Sequence, residues 1–317
     1  MRFLDALKAK AMGSPLALCD ANDVDGIGSA ALFLRRFPNG VVVLAYPTDV
    51  QRGRWLKWFK WDFVADLPCP GKAKLRADHH ATNRPCAERE YYDPDAPASA
   101  VLALKALGLS GDPIAEQIAE AARQTDTADI RDDAVRDLDA AVRYARYNEK
   151  LALIRALAER GLACLKDAAV RPLVERGRQL SSLVAKLAEL IPAESSLAVY
   201  SPVKLPISYR SLAIALQKKG AIYVNILVRL SRRTYRLYCG AERGSGYDCT
   251  KVAVAMGGGG HRYAAGAVAK APLLDPERPL RLFLELVKPQ RLYSIGACPN
   301  LDIPCTSVPY IAQPSPP

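Results

Sequence analysis

Near the N-terminus, three short apolar runs each hand over to aspartate. Leu16 to Cys19 leads into the turn DANDVDG, Phe63 to Ala65 ends at Asp66, and Leu75 to Ala77 ends at Asp78. Ser29 to Phe37 has helical spacing between the first two runs, and Val41 to Tyr46 reads as a further strand. Strands that alternate with helices and deliver a carboxylate at their C-terminal ends describe a parallel α/β sheet. Such sheets bind ligands outside the carboxyl ends of their strands.

From about Ser99 to Leu190 the pattern turns helical, with Ala- and Leu-rich periodic runs and a start signal at Asp112-Pro113. After Ile191-Pro192 strand signals return at Leu197 to Tyr200, Ala221 to Val228 and Tyr235 to Cys239, with helices expected over Ser208 to Lys219 and Asp248 to Ala255. The expected organisation is a parallel-sheet domain over 1–150, a helical connector over 151–192, and a smaller α/β domain over 193–290 facing the first across a cleft. A Pro-rich tail over 291–317, with Pro299, Pro304, Pro309, Pro314, Pro316 and Pro317, is expected to wrap the surface or stay loose.

With 317 residues, half of them hydrophobic, the chain can bury a large core. No apolar run of about twenty residues occurs, and Asp5, Lys8 and Lys10 interrupt the first segment, so the expected location is the cytoplasm, with no membrane contact. Forty-four Lys and Arg against 33 acids give a net charge of +11, which favours polyanionic partners. None of the eight cysteines forms a C-x-x-C pair, which argues against a structural zinc site and leaves disulfide pairing undetermined. Six Asn and seven Gln are a depletion of thermolabile amides that fits a heat-adapted cell.

The acidic residues and the three histidines fall into motif-like settings, His79 and His80 in RADHHATN and His261 after four glycines. Asp23 and Asp25 flank Val24; in an extended segment both carboxylates face one way, although an Asp-rich turn with a helix cap at Asp25 accounts for the same residues. Asp66 and the Asp78-His79-His80 run end two further strands of the sheet, and Asp126 in ARQTDTAD closes a helix-rich segment. Crowded carboxylates repel one another without a cation. Several oxygens with an imidazole form a hard-to-borderline donor set suited to a pair of Mn²⁺ ions, with Mg²⁺ as the alternative.

In NDVDGIGSAAL, Asp66, the DHH run at Asp78 to His80, Asp126 and the GGGGHRYAAGA run at Gly257 to Ala267, the chain resembles the DHH phosphoesterase superfamily. That superfamily includes RecJ exonucleases, nanoRNases, 3′-phosphoadenosine-5′-phosphate phosphatases, cyclic dinucleotide phosphodiesterases and family II pyrophosphatases. The glycine-histidine run resembles the DHH-associated C-terminal domain, which the pyrophosphatases lack. The resemblance implies one metal held by Asp23 and Asp66 and a second by Asp25, Asp66, His79 and Asp126. Asp66 bridges the two ions, and His80 touches the scissile phosphate. The implied reaction is a Mn²⁺-dependent, two-metal in-line hydrolysis of short single-stranded oligonucleotides, of the nanoRNase or RecJ type. A small-nucleotide phosphatase or cyclic dinucleotide phosphodiesterase is the enzymatic alternative.

The sequence departs from the family pattern at one position. The first motif ordinarily reads His-x-Asp-x-Asp-Gly, and here Ala21 stands at the histidine. Alanine cannot ligate, so Asp20 swings in, water fills the place, or the site binds weakly. The last outcome leads to a rival reading, a catalytically silent scaffold for nucleic acid or a replication protein; a homodimer is the other partner expectation.

In the second domain, four consecutive glycines expose backbone N–H groups to an anion, and the resemblance assigns Gly258, Gly259, Gly260, His261 and Arg243 to substrate binding. All three tryptophans lie in QRGRWLKWFKW among Arg52, Arg54, Lys57 and Lys60, either to track a nucleic-acid strand by phosphate contact and stacking or, the favoured reading, with Trp55, Trp58 and Phe59 on one buried helix face. Arg229, Arg232, Arg233 and Arg236 surround an expected hairpin, either as a nucleic-acid surface or as a solvated turn.

Overall fold

The structure is a computed structural model that describes residues 2–300 and 303–309. It divides into two compact units, Met1–Arg178 and Gln179–Pro317. In chain order the first unit contains α1 (Arg2–Ala11), β1 (Leu16–Asp20), α2 (Val24–Arg36), β2 (Val41–Ala45), α3 (Pro47–Arg52), β3 (Lys60–Ala65), β4 (Lys72–Asp78), β5 (Ala87–Tyr92), α4 (Ser99–Ala106), α5 (Pro113–Asp126), α6 (Asp133–Tyr144) and α7 (Tyr147–Arg160). Helix α8 (Arg171–Leu190) runs through the unit boundary. The second unit then adds β6 (Ser196–Ser201), α9 (Tyr209–Lys218), β7 (Tyr223–Ser231), β8 (Thr234–Ala241), α10 (Cys249–Ala255), β9 (Gly259–His261), β10 (Ala264–Lys270), α11 (Arg278–Val287), β11 (Leu292–Ile295) and β12 (Cys305–Val308).

Strands of the first sheet lie in the order β2-β1-β3-β4-β5, and all pair in parallel. Burial explains the composition of β1, whose five residues LALCD are all buried. Because side chains alternate across a strand, Ala17 and Cys19 enter the core beneath α2, α4, α5 and α7, whereas Leu16 and Leu18 enter the opposite core with Ala6 and Trp61. The chain leaves β1 toward β2 on one side and returns to β3 on the other. The carboxyl ends of β1 and β3 therefore form the switch point at which open α/β sheets bind ligands.

The tryptophan segment departs from its expected helix. Residues Arg54–Trp58 form a single 3-10 turn, in which Trp58 is 74% exposed; Trp61, in β3, is the fully buried one. A 3-10 turn has three residues per turn, so Trp58 turns outward while Trp55 and Phe59 still pack on the core beside Phe3.

In the second unit the sheet order is β12-β11-β6-β7-β8-β10-β9, with β6, β7, β11 and β12 parallel and β8 to β10 antiparallel. The segment expected to wrap the surface or stay loose supplies β11 and β12 to this sheet, and a disulfide ties Cys298, in the loop between them, to Cys305 of β12. Residues Pro314, Pro316 and Pro317 lie outside the described residues. The connector expected over 151–192 is not a separate unit, since α7 and the first part of α8 pack with the first core. A second disulfide, Cys69–Cys86, links the loop before β4 to the one before β5. No helix among the described residues is long and apolar enough to cross a membrane.

Candidate metal centre

Within the first unit, the sequence-predicted ligands converge. Asp20 ends β1, Asp23 caps α2 by accepting from the Gly26 amide at 3.3 Å, and Asp25 lies in the first turn of that helix. The cap is therefore Asp23 rather than Asp25, and the two carboxylates belong to a helix start, not to an extended segment. They point into different groups as a result. Ligand atoms of Asp20, Asp23 and Asp66 lie within 4.8 Å of one another, as do those of Asp25, His79 and Asp126, and those of Asp66, His79 and His80. Asp66 thus belongs to two of the groups.

Asp66 follows β3 directly and adopts φ +59°, a left-handed conformation uncommon outside glycine. Non-glycine residues persist there when their surroundings fix them, and such positions cluster at functional sites. Ser99, the first residue of α4, supplies part of that fixing. Its hydroxyl donates to Asp66 Oδ1 at 3.1 Å, and its amide donates to Asp25 Oδ2 at 2.7 Å. The Ala100 amide donates to Asp25 Oδ1, also at 2.7 Å. The N-terminus of α4 thus holds Asp25 with two of the free amides that every helix start presents.

His79 is oriented as metal-binding histidines ordinarily are. Its Nδ1 lies 3.0 Å from the Ala96 carbonyl, to which it donates, and this turns Nε2 toward the carboxylates. That Nε2 faces Asp126 Oδ2 at 3.6 Å, Asp25 Oδ2 at 3.7 Å and Asp66 Oδ1 at 3.9 Å. These separations exceed a hydrogen bond. They match ligands around one ion, since cation–oxygen distances of about 2.1 Å put adjacent ligands about 3 Å apart and opposed ones about 4 Å apart.

His80 serves a different geometry. Its Nδ1 is 3.0 Å from Asp78 Oδ1, and its ring is half exposed. Asp78 is fully buried and held by Arg76 at 2.9 Å and Asn83 at 2.7 Å, so it orients His80 rather than offering a ligand. The hydrogen bond to Asp78 raises the His80 pKa against the opposing effect of burial. Asp78 itself lies below the ordinary range because His80, Asn83 and Arg76 outweigh its burial.

Asp20, Asp25, Asp66 and Asp126 are pushed upward. Burial, and then the neighbouring Asp23, raise both Asp20 and Asp25 from 3.8 to about 7. Burial followed by Asp25, Asp23 and Asp20 drives Asp66 well up, and burial raises Asp126. Burial is the larger cause in each case, and the crowding of like charges adds to it. Lys150, 6% exposed, donates to the Ala21 carbonyl, and burial lowers its pKa against the attraction of Asp20 and Asp23. Five carboxylates with two imidazoles form an oxygen-dominated donor set, which fits Mn²⁺ or Mg²⁺ and does not fit a thiolate-seeking ion.

Three participants were not assigned by the sequence. Ser99 and Ala100 follow Pro97-Ala98, where the only signal was a helix start. Lys150, the third, gave no signal, whereas Asp20, one of three acids in DANDVD, was expected as one way to fill the place of the missing histidine.

The second unit places the other expected residues differently from a bare glycine loop. Gly257, at φ +82°, ends α10; its amide donates to the Val254 carbonyl and that of Gly258 to the Ala253 carbonyl, a Schellman cap. Gly259 and Gly260 belong to β9 and pair with Gly266 and Ala265. A Cβ at Gly258 would meet the Gly266 oxygen at 2.1 Å, and one at Gly260 the Ala265 Cα at 2.6 Å. Helix termination and close strand packing therefore account for much of the run, and the amides of Gly257 and Gly258 are already engaged. His261 ends β9 in the open, and the Arg243 guanidinium lies 5.6 Å over the Tyr263 ring. Among the hairpin arginines, Arg229 pairs with Glu277 at 3.0 Å and Arg233 donates to the Ala271 carbonyl at 3.0 Å.

Neither a protein-family model nor a curated protein sequence matches this chain. Solved structures do. A pGpG-specific phosphodiesterase, PggH from Vibrio cholerae, matches over 87% of this chain and 99% of its own, with a TM-score of 0.62 at 17% identity. An exonuclease RecJ bound to manganese matches over 90% of this chain and 94% of its own, at a TM-score of 0.59 and 13% identity. RecJ from Thermus thermophilus in complex with Mg²⁺ matches over 96% of this chain and 53% of its own, at 0.53 and 14%. The chain thus shares its fold with these phosphodiesterase and exonuclease structures.

Proposed function

We propose that the chain is a metal-dependent phosphodiesterase acting on short single-stranded nucleic acids. Asp25, Asp66, His79 and Asp126 hold one divalent cation, and Asp23 and Asp66 contribute to a second. The observation that carries this reading is the His79 Nε2 facing three carboxylates at 3.6 to 3.9 Å while Nδ1 is tied to a carbonyl. Such ions, when bound, supply Lewis-acid stabilisation of phosphoryl oxygens and a lowered pKa for water. Asp66 is shared between the groups and sets their spacing. Ser99 and the start of α4 keep Asp25 and Asp66 in ligating orientation. His80, held by Asp78 at Nδ1, presents its other nitrogen as a donor for a phosphoryl oxygen or for the leaving group. In the second unit, Arg243 and the exposed His261 are the side chains offered to an anionic group of the substrate.

The first substrate to test is a linear dinucleotide, the class named for the Vibrio neighbour, with manganese as the ion named for RecJ. Labelled pGpG, a 20-mer, 3′-phosphoadenosine-5′-phosphate and cyclic di-adenylate are incubated with the protein and Mn²⁺. Mononucleotide release, fastest from the dinucleotide, is the expected result. Binding without turnover of any of the four would favour a second reading, a silent nucleic-acid scaffold, for which Ala21 and the buried Lys150 are the specific observations.

A further inference from the structure

We infer that Asp20 supplies the ligand that Ala21 cannot, so that the first cation sits in an all-oxygen cage of Asp20, Asp23 and Asp66. The inference rests on the two-metal reading proposed above and concerns only the composition of its first site. Ala21 is 2% exposed and packs in the core beneath α2, so neither its side chain nor an easy rotation brings a donor to that position. Asp20, one residue earlier, ends β1 with its ligand atom within 4.8 Å of those of Asp23 and Asp66.

Two features hold it there. Asn22 clamps the carboxylate, its side-chain amide lying 3.0 Å from both Asp20 oxygens and its backbone amide 3.1 Å from Oδ1. This is the orienting contact that ligating carboxylates ordinarily receive from a neighbour. Gly26 lets the start of α2 close over the residue, because a Cβ there would come within 2.4 Å of the Asp20 carbonyl oxygen and 2.7 Å of its Cβ. Asp20 is 5% exposed, and apart from Asn22 no side chain donates a hydrogen bond to it among the described residues. A cation among three converging carboxylates offsets their mutual repulsion, and Lys150 directs its ammonium to the Ala21 carbonyl instead.

The ligand chemistry makes the two sites unequal. His79 gives the second site an imidazole, which strengthens binding along the Irving–Williams order, whereas three carboxylates bind hard ions such as Mg²⁺ and Mn²⁺ with little such preference. The test counts Mn²⁺ bound to the full-length protein by calorimetry and electron paramagnetic resonance. Wild type is expected to bind two ions, and Asp20→Asn to bind one, with the other site weakened at least about tenfold and the second site unchanged. Two ions bound to Asp20→Asn with wild-type affinity would overturn the inference and leave the two-metal reading intact. One ion bound to wild type, with Lys150 neutralising Asp20 and Asp23, would overturn both. Asp20→Cys gives a second readout if the asparagine variant folds poorly: Cd²⁺ should produce a thiolate-to-cadmium charge-transfer band above the wild-type background, and its absence contradicts the assignment.

Discussion

The Ser99 hydroxyl donates to Asp66 Oδ1 at 3.1 Å while the amide of the same residue donates to Asp25 Oδ2 at 2.7 Å. One residue at the start of α4 therefore sets the relative position of a shared carboxylate and a carboxylate of the second group. Removing only the hydroxyl leaves both backbone donors in place. Ser99→Ala should weaken Mn²⁺ binding by about tenfold, the usual effect of losing an outer-shell partner, with a change of about 1 kcal/mol in stability. Titration calorimetry and a denaturant melt check the two effects separately.

Asp66→Asn keeps a residue type that tolerates the left-handed φ of +59° and removes the shared charge. Turnover should fall by more than about a hundredfold, with the protein still folded. Asp66→Ala should lose turnover equally and also lose about 1 kcal/mol or more of stability, because alanine has no local hydrogen bond to support that backbone. Single-turnover rates and thermal melts separate the two variants.

Buried carboxylates make the metal-free protein sensitive to pH in a defined direction. Asp20 and Asp25 are raised from 3.8 to about 7, so the stability linked to their protonation is fully present below the ordinary value and is lost as pH rises through about 7. The metal-free melting temperature should therefore fall between pH 5 and pH 8 relative to that of Asp25→Asn, whose side chain does not titrate. Added Mn²⁺ should restore more at pH 8 than at pH 5, because binding requires the deprotonated ligands. Melts across that range with and without Mn²⁺ decide it.

Much of this centre was legible in the sequence because a parallel sheet turns local motifs into a shared location. The runs before Asp20, Asp66 and Asp78 end neighbouring strands, so the Asp-rich turn and the DHH run converge once the strand order is known. Asp126 reaches the same place from the last residue of α5. Ser99 and Lys150 were not legible, since each acts through contacts spanning many residues: Ser99 meets Asp25 and Asp66, and Lys150 meets the Ala21 carbonyl. The glycine run is ambiguous as a sequence signal, because a Schellman cap followed by a hairpin strand demands the same residues as an open anion cradle. Strand β5 escaped notice for a simpler reason: AEREYY is an edge strand only partly buried, with no apolar alternation to mark it.

Asp78→Asn weakens the hold on His80 and leaves the buried Arg76 guanidinium with Glu90 as its remaining carboxylate partner. The variant should lose about a hundredfold in kcat and, since Asp78 raises the His80 pKa, should shift the alkaline limb of the rate profile to lower pH. Stability should fall by roughly 3 kcal/mol, as when one partner of a buried ion pair is removed. A pH–rate profile and a urea melt test both statements.

Anomalous X-ray scattering from crystals grown with Mn²⁺ tests the central claim most directly. The account predicts a manganese peak coordinated by His79 Nε2, Asp25, Asp66 and Asp126, with a second peak on the far side of Asp66 beside Asp23. Well-ordered crystals at saturating Mn²⁺ that show no peak at His79 Nε2 would contradict it.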